Sequence, residues 1–132
     1  MTNDERLKAA WQGRISGCML GKPVEMISMR EGPKGLNDYL EKSGSLPLRD
    51  YVNYMDHEML RGANKRCCLG MMDKAEVDDD ITYLVLALMM LEQHGIDIST
   101  DDVARSWINL LPVGATFTAE RDSYLKLIEK SN

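Results

Sequence analysis

Apolar residues in this chain recur mostly at helical spacing. Leu7, Ala10, Trp11, Ile15 and Cys18 form a first stripe, with Asn3 placed to cap it and Asp4 and Glu5 in its first turn. Gly13, Gly17 and Gly21 fall four apart on one face of that helix, a row that lets a second helix or a ligand approach the backbone. The helix is predicted to stop at Lys22-Pro23, because the residue before a proline avoids the α region. Gly32-Pro33 begins a short helix that turns Leu36, Tyr39 and Leu40 inward and stops at Gly44. From Ser45 to Ala75 the pattern weakens to scattered anchors broken by Gly62 and Gly70. Irregular structure with short turns is expected there, suited to a lid or a cleft wall.

The most apolar segment follows. Ile81, Leu84, Val85, Leu88 and Leu91 predict a largely buried helix from about Asp78 to a glycine stop at His94-Gly95. Ser99 or Thr100 caps the next helix, with Asp101 and Asp102 in its first turn and Val103, Trp107, Leu110 and Leu111 inward. Pro112 and Gly114 close it. Thr116 or Thr118 caps a last helix, where Glu120 helps the N-terminus and Tyr124, Leu127 and Ile128 face the core. Repeats, low-complexity tracts and alternating strand patterns are absent from the sequence, so the expected fold class is all-α.

Composition narrows this further. A chain of 132 residues is expected to form one domain, residues 1–132, with a modest core. A net charge of −5 gives no basic footprint for nucleic acid or an anionic membrane. The longest apolar run, from Leu84 to Leu91, is too short to span a bilayer, and the polar N-terminus does not resemble a signal peptide. Cys67 and Cys68 are adjacent and Cys18 stands alone, which is neither a disulfide framework nor a zinc spacing. A packed or half-exposed location is expected for the cysteine pair. Reduced thiols without an export signal point to a cytoplasmic protein. Ten methionines against a single phenylalanine imply an adaptable core.

Candidate chemistry gathers where the apolar helix begins. Asp78, Asp79 and Asp80 are consecutive, and Glu76 lies two residues before them. A helix N-terminus favours one or two acids, but three in a row repel one another unless a cation sits among them. Clustered carboxylates at the rim of a core suit a hard cation such as Mg²⁺ or Ca²⁺. The same residues also read as a solvated acidic cap, and both readings stand at this point. For Asp101-Asp102 capping is the better explanation. Glu25 is expected at a loop start, where it is either solvated or turned to a cleft.

Three stretches together resemble the ADP-ribosylglycohydrolase family. Residues 13–25, GRISGCMLGKPVE, are similar to its opening glycine-rich helix, which often ends in a Gly, a Pro or Ala, and a glutamate. Residues 78–83, DDDITY, resemble its Thr-Asp-Asp-Thr metal motif at the start of a buried helix. Residues 110–121, LLPVGATFTAER, look like a segment of a bacterial branch, and the resemblance runs from about Leu7 to Ile128. It implies an all-α fold whose cleft holds Mg²⁺ or Mn²⁺ and hydrolyses the bond between ADP-ribose C1″ and a protein side chain or small leaving group. Asp79 and Asp80 match the motif's two aspartates, and Asp78 stands where the family has threonine, so Asp78, Asp79 and Asp80 become the implied metal ligands. Glu25 matches the glutamate near the substrate ribose, which makes Glu25 and Asp79 the implied catalytic residues.

Two features depart from the family. The aspartate that often precedes the glutamate in the opening helix is absent, and nothing before Asn132 matches the second Asp-x-Asp cluster. The expectation is therefore a truncated ADP-ribosylglycohydrolase-like helical domain resembling the N-terminal part of a member. It would hold one Mg²⁺ or Mn²⁺ weakly and take an ADP-ribose-containing ligand. Self-association or a missing C-terminal half would supply what the family has further on. The alternative is a non-catalytic relative that binds ADP-ribose-like ligands or a partner, or a structural remnant.

Overall fold

A computed structural model describes residues 1–131. Among the described residues the ordered elements are α-helices and one 3₁₀ turn, with no strand, so the fold class is all-α as expected. The chain falls into two compact units, Met1–Asp78 and Asp79–Asn132.

The first unit is built on helix α1, Asn3–Lys42. Its cap lies one residue earlier than expected: the Thr2 hydroxyl accepts from the Glu5 N–H while the Glu5 carboxylate accepts from the Thr2 N–H. The expected stop at Lys22-Pro23 does not occur, and α1 continues through Pro23. A proline there forgoes the bond to the carbonyl four residues back. Burial offsets the loss, because Met19, Pro23 and Ile27 recur four apart and are almost wholly enclosed. The break falls instead at Gly32, where φ is +69°, and Pro33 starts a second helical segment as expected. At Gly35 the packing after this break is tight: a Cβ would lie 2.2 Å from that of Glu31. The expected N-terminal stripe is only half realised, with Leu7 and Ala10 exposed and Trp11, Ile15 and Cys18 half-buried.

Residues 45–75 pack on α1 as mainly irregular chain with one short helix, α2 (Ala63–Arg66), in agreement with the weak pattern there. Ile27, Tyr39, Val52, Leu60 and Cys68 form the core of this unit. The Tyr39 hydroxyl accepts from the Met55 N–H at 3.0 Å and donates to the Asn53 carbonyl at 3.0 Å. One aromatic side chain thereby ties the irregular segment to the helix. Cys67 and Cys68 are both fully buried, which fits packing residues, and burial pushes the Cys68 thiol up to about 11.

The second unit contains α3 (Asp79–His94), α4 (Thr100–Leu110) and α5 (Thr118–Ser131). Leu86, Met90, Leu111 and Tyr124 form its core, flanked by Tyr83, Ala87, Ile98, Val103 and Trp107. The expected inward stripe of α3 is corrected here. Leu86 and Met90 are buried, whereas Val85, Leu88 and Leu91 are 42%, 42% and 47% exposed. A helix apolar on every side carries no period to choose between faces. Leu110 likewise points outward while Leu111 is buried. Gly95, with φ of +77°, ends α3, and Ser99 caps α4 through a reciprocal pair with Asp102. Thr116 is buried with its hydroxyl donating to the Val113 carbonyl, so it closes the 3₁₀ turn Val113–Ala115.

Candidate metal-binding and catalytic residues

The approach to the acidic stretch is fixed by α1. Met19 and Lys22 are three residues apart on that helix and so present neighbouring side chains. The Met19 Sδ accepts from the Glu76 N–H at 3.2 Å, and the Lys22 Nζ donates to the Asp78 Oδ2 at 2.5 Å. Arg66 closes the opposite side with two parallel bonds to the Glu76 carboxylate, Nε to Oε1 and Nη2 to Oε2. Chain 76–78 is thus held at both its acidic side chains and through one backbone N–H.

These contacts set the electrostatics. Burial alone would lower the Lys22 pKa, but the Asp78 carboxylate more than offsets it, and the ammonium ends above its ordinary value. The hydrogen bond from Arg66 holds Glu76 below the usual carboxylate range. The Lys22 and Asp78 side chains are 14% and 8% exposed, so this is a mainly enclosed ion pair. Removing one partner of a fully buried pair costs about 3–5 kcal/mol, less where water reaches part of one side chain. At that size the Lys22–Asp78 contact outweighs a solvated surface pair, for which about 0–1 kcal/mol is usual.

The expected site residues are distributed as follows. Asp78 is buried at the end of the first unit and paired with Lys22. Glu25 is exposed on α1, in a helix rather than at the expected loop start, because α1 does not stop at Pro23. It follows Lys22 by three residues, so the lysine that pairs with Asp78 is its neighbour on the helix surface. Asp79 and Asp80 are exposed in the first turn of α3, in the second unit. The row of glycines expected to admit a partner meets no helix: a Cβ at Gly13, Gly17 or Gly21 would have nothing within 4 Å. Gly17, with Ser16 and Leu20, instead lines a cleft of about 410 Å³ against residues 48–51.

Two residues escaped the sequence reading. Lys22 looked like a helix terminus, although its position three residues after Met19 and beside Pro23 sets it next to the buried row. Tyr83 packs against Trp107 with ring centroids 5.5 Å apart, and its hydroxyl is buried without a hydrogen-bond partner among the described residues. Burial, with Glu120 and Asp79 adding negative charge, pushes its pKa up.

Every donor in the 78–80 stretch is a carboxylate oxygen, the ligand type that Mg²⁺ and Mn²⁺ prefer. No helix among the described residues is long and apolar enough to cross a membrane. Comparison with protein-family models, curated proteins and solved structures finds no match to this chain.

Proposed function

We propose that the chain is an ADP-ribosylglycohydrolase-like protein that hydrolyses the C1″ bond of an ADP-ribose-containing ligand, protein-linked or small, with help from a divalent cation. The observation that carries this reading is the acidic opening of α3, with Asp79 and Asp80 exposed in its first turn directly after the pinned Asp78. Asp78, Asp79 and Asp80 would hold one Mg²⁺ or Mn²⁺. When bound, the cation supplies charge that orients ribose hydroxyls and makes a bound water more acidic. Asp79 would take a proton from the attacking water as the water's oxygen bonds to C1″, and the leaving group would depart with a proton taken up from solvent. Glu25, solvent-facing on α1, serves as the carboxylate beside the ribose.

The test is release of ADP-ribose from ADP-ribosylated protein and from small conjugates, with and without Mg²⁺ or Mn²⁺. Cation-dependent release is expected in the wild type, with a loss of about 100-fold or more in Asp79→Ala, the scale of a general-base contribution. A folded, cation-supplemented protein that releases nothing from any conjugate would contradict hydrolysis. The exposed apolar side chains of α3, Val85, Leu88 and Leu91, favour a second reading. In it the chain binds an ADP-ribose-like ligand or a protein partner without turnover. Ligand binding with no hydrolysis is the outcome that selects it.

A further inference from the structure

We propose that the cleft between α1 and residues 48–51 is a binding site for a small ligand that joins an aromatic ring to a single carboxylate. Every lining residue lies in the first unit, so the site is complete within one compact body and does not depend on the acidic stretch 78–80. Its volume of about 410 Å³ falls in the range of small-molecule pockets, roughly 300–1,000 Å³. Leu20, Leu48 and Tyr51 give it a mainly apolar wall, on which a ring sheds its contact with water.

The wall opposite α1 is held in place by the chain itself. Ser45 Oγ accepts from the Asn53 N–H at 3.0 Å, and Asn53 Nδ2 donates to the Gly44 carbonyl at 3.1 Å, so the two ends of segment 44–53 are tied together. Val52, directly after the wall, is fully buried, and its carbonyl accepts from the Leu69 N–H at 2.8 Å. A ligand therefore enters a wall already ordered and does not meet that cost on binding. On the other side Gly17 forms the floor, where an added Cβ would meet nothing within 4 Å. A glycine inside a helix costs stability relative to alanine. No neighbouring atom accounts for it at position 17, and the space a side chain would take there is the cleft.

The polar groups set the charge of the ligand. Arg49 and Ser16 both belong to the lining, and neither side chain has a hydrogen bond or ion pair among the described residues. The carboxylate of Asp50, also in the lining, accepts from the Tyr51 N–H at 2.7 Å and is engaged with its own backbone. Free donors thus remain at the rim of an apolar cleft, and a guanidinium fork matches a carboxylate.

The experiment is an NMR titration of the isotope-labelled full chain with phenylacetate, beside phenethyl alcohol as its uncharged counterpart and benzylamine as the cationic one. Phenylacetate is expected to give saturable shifts at the amides of Gly17, Arg49 and Tyr51. Phenethyl alcohol should bind about fivefold more weakly, the upper end for an exposed ion pair, and Arg49→Gln should remove that preference. Gly17→Leu, which fills the floor, should lose the saturable shifts while melting no lower than wild type. Gly13→Leu makes the same change on the same helix outside the cleft lining and should bind as wild type does. Leu48→Asp, at an exposed position of the wall, should repel the carboxylate, and it decides the matter if Gly17→Leu does not fold. Undiminished binding of phenylacetate by folded Gly17→Leu or by Leu48→Asp overturns the site. Equal or tighter binding of phenethyl alcohol or benzylamine by wild type overturns the ligand class. Shifts that never saturate, or that are confined to the second unit, overturn the proposal as a whole.

Discussion

Glu76 and Asp78 are acids that the first unit has already neutralised, one with Arg66 and the other with Lys22. The difference between them is burial of the partner: the Arg66 side chain is 53% exposed and that of Lys22 only 14%. Solvent can replace much of what Arg66 gives Glu76, whereas little water reaches Asp78 if Lys22 is removed. Tyr83 poses the opposite case, a polar atom enclosed without a partner. An unsatisfied buried hydroxyl costs about 1–3 kcal/mol of desolvation, and its removal leaves the ring contact with Trp107 intact. Tyr83→Phe is therefore expected to leave thermal stability unchanged or raise it by up to about 1 kcal/mol. A loss larger than that in chemical denaturation would mean that the hydroxyl makes a bond of its own.

At the scale of elements, α4 was the most legible part of the chain. Ser99, Asp101 and Asp102 announce a start, Pro112 forbids continuation, and the observed helix lies between them. The Ser99 side chain and backbone hydrogen bonds, then Arg105, bring the Asp102 carboxyl down to about 2. Its folded pKa lies below the ordinary 3.8, so the stabilisation is complete above that value and is lost as pH falls towards 2. Asp102→Asn should lower the melting temperature at pH 7 and flatten its fall between pH 4 and 2, as followed by far-ultraviolet dichroism. An unchanged acid limb would show that the cap contributes nothing through its charge. The break in α1 at Gly32-Pro33 was legible for similar local reasons. The passage through Pro23 was not, because it depends on burial of Met19, Pro23 and Ile27 against chain that lies far off in sequence. The buried face of α3 was illegible for another reason: Ile81 to Leu91 holds no charged residue, so its orientation is decided by Leu111, Tyr124 and Trp107 and not by its own period.

At the scale of the whole molecule, two separate cores carry the fold, one around Ile27 and Tyr39 and one around Leu86 and Tyr124. The candidate residues follow the same division. Glu25, Lys22 and Asp78 belong to the first unit, and Asp79 and Asp80 to the second. The acidic triplet itself was legible as three adjacent letters, but its unequal treatment was not. One member is buried against a lysine and two are open to solvent, a distinction set by Lys22, which lies far from the triplet in sequence. The central claim is that this triplet takes up a cation and with it an ADP-ribose-like ligand. Thermal unfolding of the full chain, with and without Mg²⁺ or Mn²⁺ plus ADP-ribose, tests it most directly, with Asp79→Ala alongside. Ligand at about a hundred times its dissociation constant should stabilise the native state by roughly 2.7 kcal/mol, a clear upward shift that Asp79→Ala loses. A cooperative transition that stays in place with every addition would contradict the claim and return the triplet to the role of a helix cap.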